Sequence, residues 1–403
     1  MIPINRPDIS PLDLETYFQL KFSKFESGKY IKNLESDFAN LFGEDYYALF
    51  TASAKLSLYL LLNVLNLKGN IITSPLTCYS ALNPIIATNN TPHYIDINKN
   101  SFLLDENLVE KYISKNDKAI MAISLGGCAS DLEKLRIIAD KHKIILIEDC
   151  AQALGSKYNN KLLGSFGHFA FFSFTKHLSL VGGGMLISKN KSVINQIREI
   201  QNQLDEIPKE LLEYRFERDF VESKLGIKDV NEFYTKKFLQ KKQDYKENNP
   251  VDIFNAKHVM CKPNDLQAGM ILKQLERLNN IVENRRKNRD LIADKLSTNK
   301  KIIFQADLGK SSFAKLYITT PYENKEVITK LVNLGIDAKQ LTKSHGIYFQ
   351  ESIDKTKYLF DDSIHKCTNY LMLHDKIVEL PLSSKMNTNE IQYITSSINK
   401  LIS

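Results

Sequence analysis

The sequence predicts an α/β protein: a mostly parallel sheet covered by helices on both faces, followed by a smaller α+β domain. Three observations predict it. Between residues 46 and 186 short β-rich runs alternate with stretches of helical spacing. The runs are continuously apolar, the mark of strands buried on both faces. After Asn190 the pattern changes, first to a long charged helical region and then to a mixture of helices and strands. At 403 residues and 43% hydrophobic, the chain can bury a large core and divide into two domains.

The predicted strands are YYALF (46–50), NIITS (70–74), PHYIDI (92–97), AIMAISL (119–125) and KIILIED (143–149), with helices at 53–65 and 131–142 between them. Ligands in such sheets bind beyond the carboxyl ends of the strands, where Ser53 and Asp149 both fall. The charged region lasts to about Asn249 and reads as a helical insertion (about 191–255) that ends near Asn248-Asn249-Pro250. A strong helix starts at Asp265 with Ile271, Leu275, Leu278 and Val282 on one face; its run to 296 links and braces the two domains, 1–255 and 256–403. Beyond it lie strand-like runs at 313–318 and 377–380 and helices at 323–334 and 389–402. Asn387 and Glu390 have the spacing of a capping box for the last helix.

Composition narrows the class. No apolar run is long enough to span a bilayer, and MIPINRPDIS lacks the pattern of a signal peptide. Five scattered cysteines point to free thiols in a reducing compartment and to no zinc site. A soluble cytoplasmic protein is expected. Much of the +7 charge lies between Lys236 and Lys246, which reads as a solvated helix face; no nucleic-acid recognition motif accompanies it.

The chemistry is concentrated between Ile147 and Gly184. Asp149 ends an apolar strand, with Gln152 three positions on, and strand alternation turns the adjacent Glu148 the other way. Lys176 follows an aromatic strand (Phe169, Phe171, Phe172, Phe174) and precedes Gly182-Gly183-Gly184. An acid, a lysine in apolar surroundings and a backbone free to take unusual angles suit pyridoxal phosphate, held as a Schiff base on a lysine with its ring nitrogen kept protonated by a carboxylate. Burial depresses a lysine pKa, as imine formation requires. Lys176 would also carry the proton between the substrate α-carbon and the cofactor C4′. Thr51-Ala52-Ser53, between a strand and a helix, offer N–H groups to a phosphate, and Ser173 is a second phosphate candidate. The plainer readings are that Asp149 and Ser53 cap helices, and that His177 and His345, possible substrate contacts, are structural.

With these residues in hand, the chain resembles the DegT/DnrJ/StrS family of sugar aminotransferases over nearly its whole length, apart from about 191–257. The motifs run in order: SGKYIKNLESDFANLFG, TASAKLSLYLLL, SPLTCYSALNPII, HYIDI, IEDCAQALGSKYNNKLLGSFG, NDLQAGMILKQLERL and IVELPLSSKMNTNEIQYI. The resemblance implies the fold type I transaminase architecture and a homodimer with active sites near the subunit interface. It also implies transfer of an amino group, usually from L-glutamate, to the keto group of a nucleotide-linked sugar in polysaccharide or lipopolysaccharide precursor synthesis. By position, Asp149 matches the pyridinium partner, Gln152 the contact of the ring hydroxyl and Lys176 the Schiff-base lysine. Thr51, Ala52 and Ser53 match the phosphate loop, and Ser173 the serine that also reaches phosphate. The chain departs from the family where Thr-Ala-Ser replaces Ser-Gly-Thr, and where Cys78 stands at an aromatic position, so that Cys78 or Tyr79 covers the ring. It departs again in a shortened interval from Ser173 to Lys176, and in Met260-Cys261-Lys262 at an Asn-aromatic-Arg run. Two other readings compete: a sugar dehydratase of the same family, whose members carry histidine in place of the lysine, and a non-catalytic regulatory protein retaining the fold.

Overall fold

The computed structural model describes residues 1–4, 6–22, 26–178, 181–225, 252–256, 259–341 and 362–402. Its large sheet takes β1 (Tyr47–Thr51), β2 (Asn70–Thr73), β3 (Thr91–Tyr94), β4 (Asp117–Ile123) and β5 (Ile145–Cys150). A small hairpin follows, β6 (Lys157–Tyr158) with β7 (Lys161–Leu162), before the sheet resumes with β8 (Phe169–Ser173) and β9 (Gly184–Ser188). The order is β1-β9-β8-β5-β4-β2-β3, parallel throughout except for β9, which is antiparallel to both neighbours. The fold class expected from the sequence is the one observed.

The predicted boundaries shift where a residue is claimed by a cap. The helix Leu132–His142 starts on Asp131, whose carboxylate accepts from Lys134 N, and stops on Lys143 in the left-handed conformation. Lys143 is therefore a helix terminus, and β5 begins at Ile145. The third run ends at Tyr94, because Asp96 turns its carboxylate to Asn369 N and Tyr370 N, at the start of the helix Thr368–Leu373. The run from Asp265 is two helices, Asp265–Leu275 and Leu278–Leu296. The break falls at Arg277, whose guanidinium is held 2.8 Å from the buried carboxylate of Asp13. Ile271, Leu278 and Val282 stay buried across it, so the apolar face continues. Of the insertion, helices Lys191–Asn202 and Lys209–Leu225 are described; Lys236–Lys246 lies outside the described residues.

The second sheet is antiparallel, in the order β10-β11-β13-β12: β10 (Ile303–Phe304), β11 (Leu316–Thr319), β12 (Lys339–Gln340) and β13 (Ile377–Leu380). Phe313 has φ 46, which keeps the strand from starting there. The capping box is present, with Asn387 and Glu390 exchanging side chain-to-backbone bonds at the start of the helix Thr388–Leu401.

Candidate active site

The carboxyl ends of β4, β5 and β8 and the start of the helix Ala54–Leu65 form one wall of a 420 Å³ cavity; the small sheet supplies the other through Lys315, Tyr317, Lys339 and Glu379. Asp149 and Lys176 both line it. Asp149 is buried at the end of β5, where its Oδ1 accepts from Ala151 N at 3.0 Å and its Oδ2 takes no donor among the described residues. Burial lifts its pKa to about 6, against the opposing pull of the Ala151 N–H and the Lys176 charge. A cation placed against that carboxylate would restore its charge.

Lys176 ends a single turn of 3-10 helix, Phe174–Lys176, at the close of β8. Its side chain keeps surface toward the cavities it lines. Protein atoms packed around it and the positive charge of Lys315 nevertheless hold its pKa below the ordinary lysine value. Lys315 is itself paired with Glu379 at 2.7 Å. Gly182 and Gly183 take positive φ on the way into β9. Gly184 lies so close to the helix start that an added Cβ would stand 2.4 Å from Ala54 N.

Of the expected phosphate loop, only Ser53 lines the cavity, joined by Ala54 and Lys55. Ser53 caps the helix through Leu56 N, leaving the N–H groups of the first turn without helical acceptors. Thr51 is buried, with its hydroxyl on Ser57 Oγ at 2.6 Å and on Ser53 O, and Ala52 is buried beside it. Gln152 lines the cavity; its Oε1 accepts from Gly126 N at 2.9 Å and from the Tyr317 hydroxyl at 3.5 Å, and its amide N–H groups meet no acceptor among the described residues. Ser173, bonded to Thr175 at 2.9 Å, and Cys78 also line it, whereas Tyr79 is 41% exposed and does not.

His177 turns away from this cavity: it is buried, with Nε2 on Ser312 Oγ at 2.7 Å. His345 lies outside the described residues. Met260-Cys261-Lys262 packs against the loop 205–207 through Lys262 N to Asp205 O and Ile207 N to Lys262 O. Sequence reasoning missed Lys315, Lys339 and Glu379. A signal existed, since each of Lys315 and Glu379 is a lone charge in an apolar run, FAKLYI and IVELPL.

The fold is that of the fold type I transferase class, with an acid and a lysine lining one cavity. The chain belongs to the DegT/DnrJ/EryC1/StrS aminotransferase family, whose match covers residues 15–220 and 234–399. It is 30% identical over 209 residues to GDP-perosamine synthase of Vibrio cholerae, covering 50% of this chain and 57% of that one. It is also 30% identical over 187 residues to a pleiotropic regulatory protein of Geobacillus stearothermophilus (45% and 50%). The chain thus spans about half the length of the curated relatives it matches. Among solved structures it is similar to GDP-4-keto-6-deoxymannose-3-dehydratase (TM-score 0.76, 18% identity, 98% and 100% covered). It is likewise similar to the Helicobacter pylori aminotransferase of pseudoaminic acid biosynthesis (TM-score 0.75, 20%, 100% and 99%). The resemblance read from IEDCAQALGS and NDLQAG is borne out for family, fold and the pyridoxal phosphate cofactor. Among the described residues, no helix is long and apolar enough to cross a membrane.

Proposed function

We propose that this chain is an aminotransferase that moves an amino group, from L-glutamate, to the keto group of a nucleotide-activated sugar, working as a homodimer. The observation that carries the reading is the placement of Asp149 and Lys176 on one cavity, one acid with an unused oxygen and one amine held below its usual pKa. Pyridoxal phosphate, when bound, supplies an electron-withdrawing ring and an imine-forming carbon. Asp149 would meet the ring nitrogen, whose positive charge offsets the cost of burying the carboxylate. The Ser53–Lys55 helix start would receive the phosphate, where N–H groups and the positive dipole end favour an anion. The Gln152 amide would donate to the ring oxygen. Lys176 would hold the cofactor and carry the proton between substrate and cofactor carbons, a task for an amine that burial and the neighbouring Lys315 charge hold below the ordinary lysine pKa.

The dehydratase reading requires a histidine to act in place of the lysine. Here the histidine beside Lys176 is bonded to Ser312 and does not line this cavity, which favours transamination. The likeness to GDP-perosamine synthase makes a GDP-linked keto sugar the first acceptor to test. The test is a visible absorption spectrum of the purified protein with pyridoxal phosphate, before and after L-glutamate. A band that converts on glutamate, and returns on adding the keto sugar, supports the proposal. Absence of any band refutes the role of Lys176.

A further inference from the structure

A second cavity, of 140 Å³, also borders Lys176 and shares Thr175 and Lys315 with the larger one. Its charged lining is lopsided: Arg6, Lys176, Arg218, Arg285 and Lys315 against Asp219. Arg6 is held by Glu390 and Arg218 by Asp219. Arg285, in the helix Leu278–Leu296, has no carboxylate within ion-pair distance among the described residues. It is 6% exposed, its Nη1 reaches only the Lys176 carbonyl at 3.5 Å, and its Nε has no acceptor. His177, 1% exposed, lines the same cavity with Nδ1 unpartnered. Burial lowers the Arg285 pKa to about 10 and keeps His177 neutral.

The negative charge of Asp8 acts on Arg285 from a distance, while Asp8 itself lies within 4 Å of Arg277 and Lys385. A buried guanidinium with no carboxylate in contact is strongly destabilising. A small anion in this cavity would remove that cost. We propose that the cavity is a carboxylate-binding pocket, with Arg285 its principal anchor and His177 its second donor. The planar fork of a guanidinium matches a carboxylate, and the volume admits a carboxylate with a short carbon chain. His177 can contribute an Nδ1–H when Ser312 donates to Nε2. The carboxylate is either a free one or that of the amino donor, whose amine would reach Lys176 across the shared rim; the latter source rests on the aminotransferase reading.

The experiment is calorimetric titration of acetate into the cofactor-loaded protein, repeated with Arg285→Gln and with Lys287→Gln, an exposed position on the same helix. The pocket predicts one saturable acetate site per chain, weakened at least about tenfold in Arg285→Gln and unchanged in Lys287→Gln. No saturable acetate binding, or equal binding in Arg285→Gln, overturns it. Should Arg285→Gln not fold, Arg285→Lys keeps the charge without the fork and must still bind acetate more weakly; equal binding overturns the proposal. Displacement of acetate by L-glutamate identifies the donor as the source, and lack of competition assigns a free carboxylate. The two readings fail separately: a band that converts on glutamate without acetate binding sinks only the pocket, and acetate binding to a loaded protein whose band ignores glutamate sinks only the aminotransferase.

Discussion

The two sheets face the same cavity in different ways. The large sheet contributes groups near strand ends, namely Asp149 on β5, Ser173 on β8 and the first N–H groups of a helix. The small sheet contributes side chains from its strands: Tyr317 on β11 stands opposite Glu379 on β13, which stands opposite Lys339 on β12. Groups at strand ends are fixed by topology, so the cofactor half of the site follows from the fold. Groups along a strand can be exchanged without moving the backbone, so the small sheet is where this chain sets its own charge pattern. On this contrast, changes on the large-sheet side abolish chemistry, and changes on the small-sheet side retune it.

The largest effect is expected at Lys176. Lys176→Ala removes covalent cofactor capture and lowers turnover by at least about 10³-fold, read from the absorption band and a glutamate half-reaction assay. Asp149→Asn comes next, with turnover down about 10²-fold while the cofactor still binds. The same variant carries a pH signature in the cofactor-free protein. The folded carboxyl titrates at about 6 against 3.8 for the free group, so the folded state binds more protons between those values. Stability therefore falls as pH rises from about 4 to about 6, by an amount on the order of 2–3 kcal/mol, and Asp149→Asn lacks that component. Urea midpoints for both proteins across this range measure it.

A third change tests the rear of β5. Glu148 is fully buried and accepts from Gly164 N, Phe166 N and Gly167 N, holding the loop between β7 and β8. Burial still lifts its pKa to about 7. Glu148→Gln sets an amide N–H₂ against one of those donors and should cost about 1–3 kcal/mol in a urea melt while sparing the cofactor band. The smallest effect belongs to the small sheet. Glu379 is one of the negative charges that raise the Lys176 pKa, so Glu379→Gln should move the pH midpoint of cofactor capture downward without abolishing capture. A midpoint that stays put would remove the small sheet from control of Lys176.

Legibility in the sequence followed the same division. Asp149, Gln152 and Lys176 fall on one cavity, and their stretch stands out in the sequence because a strand end, a breaking glycine run and an aromatic strand leave traces there. Thr51 and Ala52 do not line the cavity: the Thr51 hydroxyl finds Ser57 one helical turn on, and nothing in TASAKLS distinguishes a hydroxyl aimed at its own helix from one aimed at a ligand. Lys315 and Glu379 were missed because pairing across two strands far apart in sequence has no period at all. The break at Arg277 was equally silent, since its cause, Asp13, sits at the other end of the chain.

The hydrogen-bonding of β9 has a bearing on time as well as place. Because β9 pairs along its whole length with β1 on one side and β8 on the other, the turn carrying Lys176 is anchored at both ends inside a closed ladder. The backbone there can open only when two ladders unzip together. Exchange of the β8 and β9 amides with deuterium should accordingly be among the slowest in the molecule, at the rate of global unfolding. On the shorter timescale of a turnover, whatever travel the reaction demands of Lys176 must come from rotation within its four-carbon side chain.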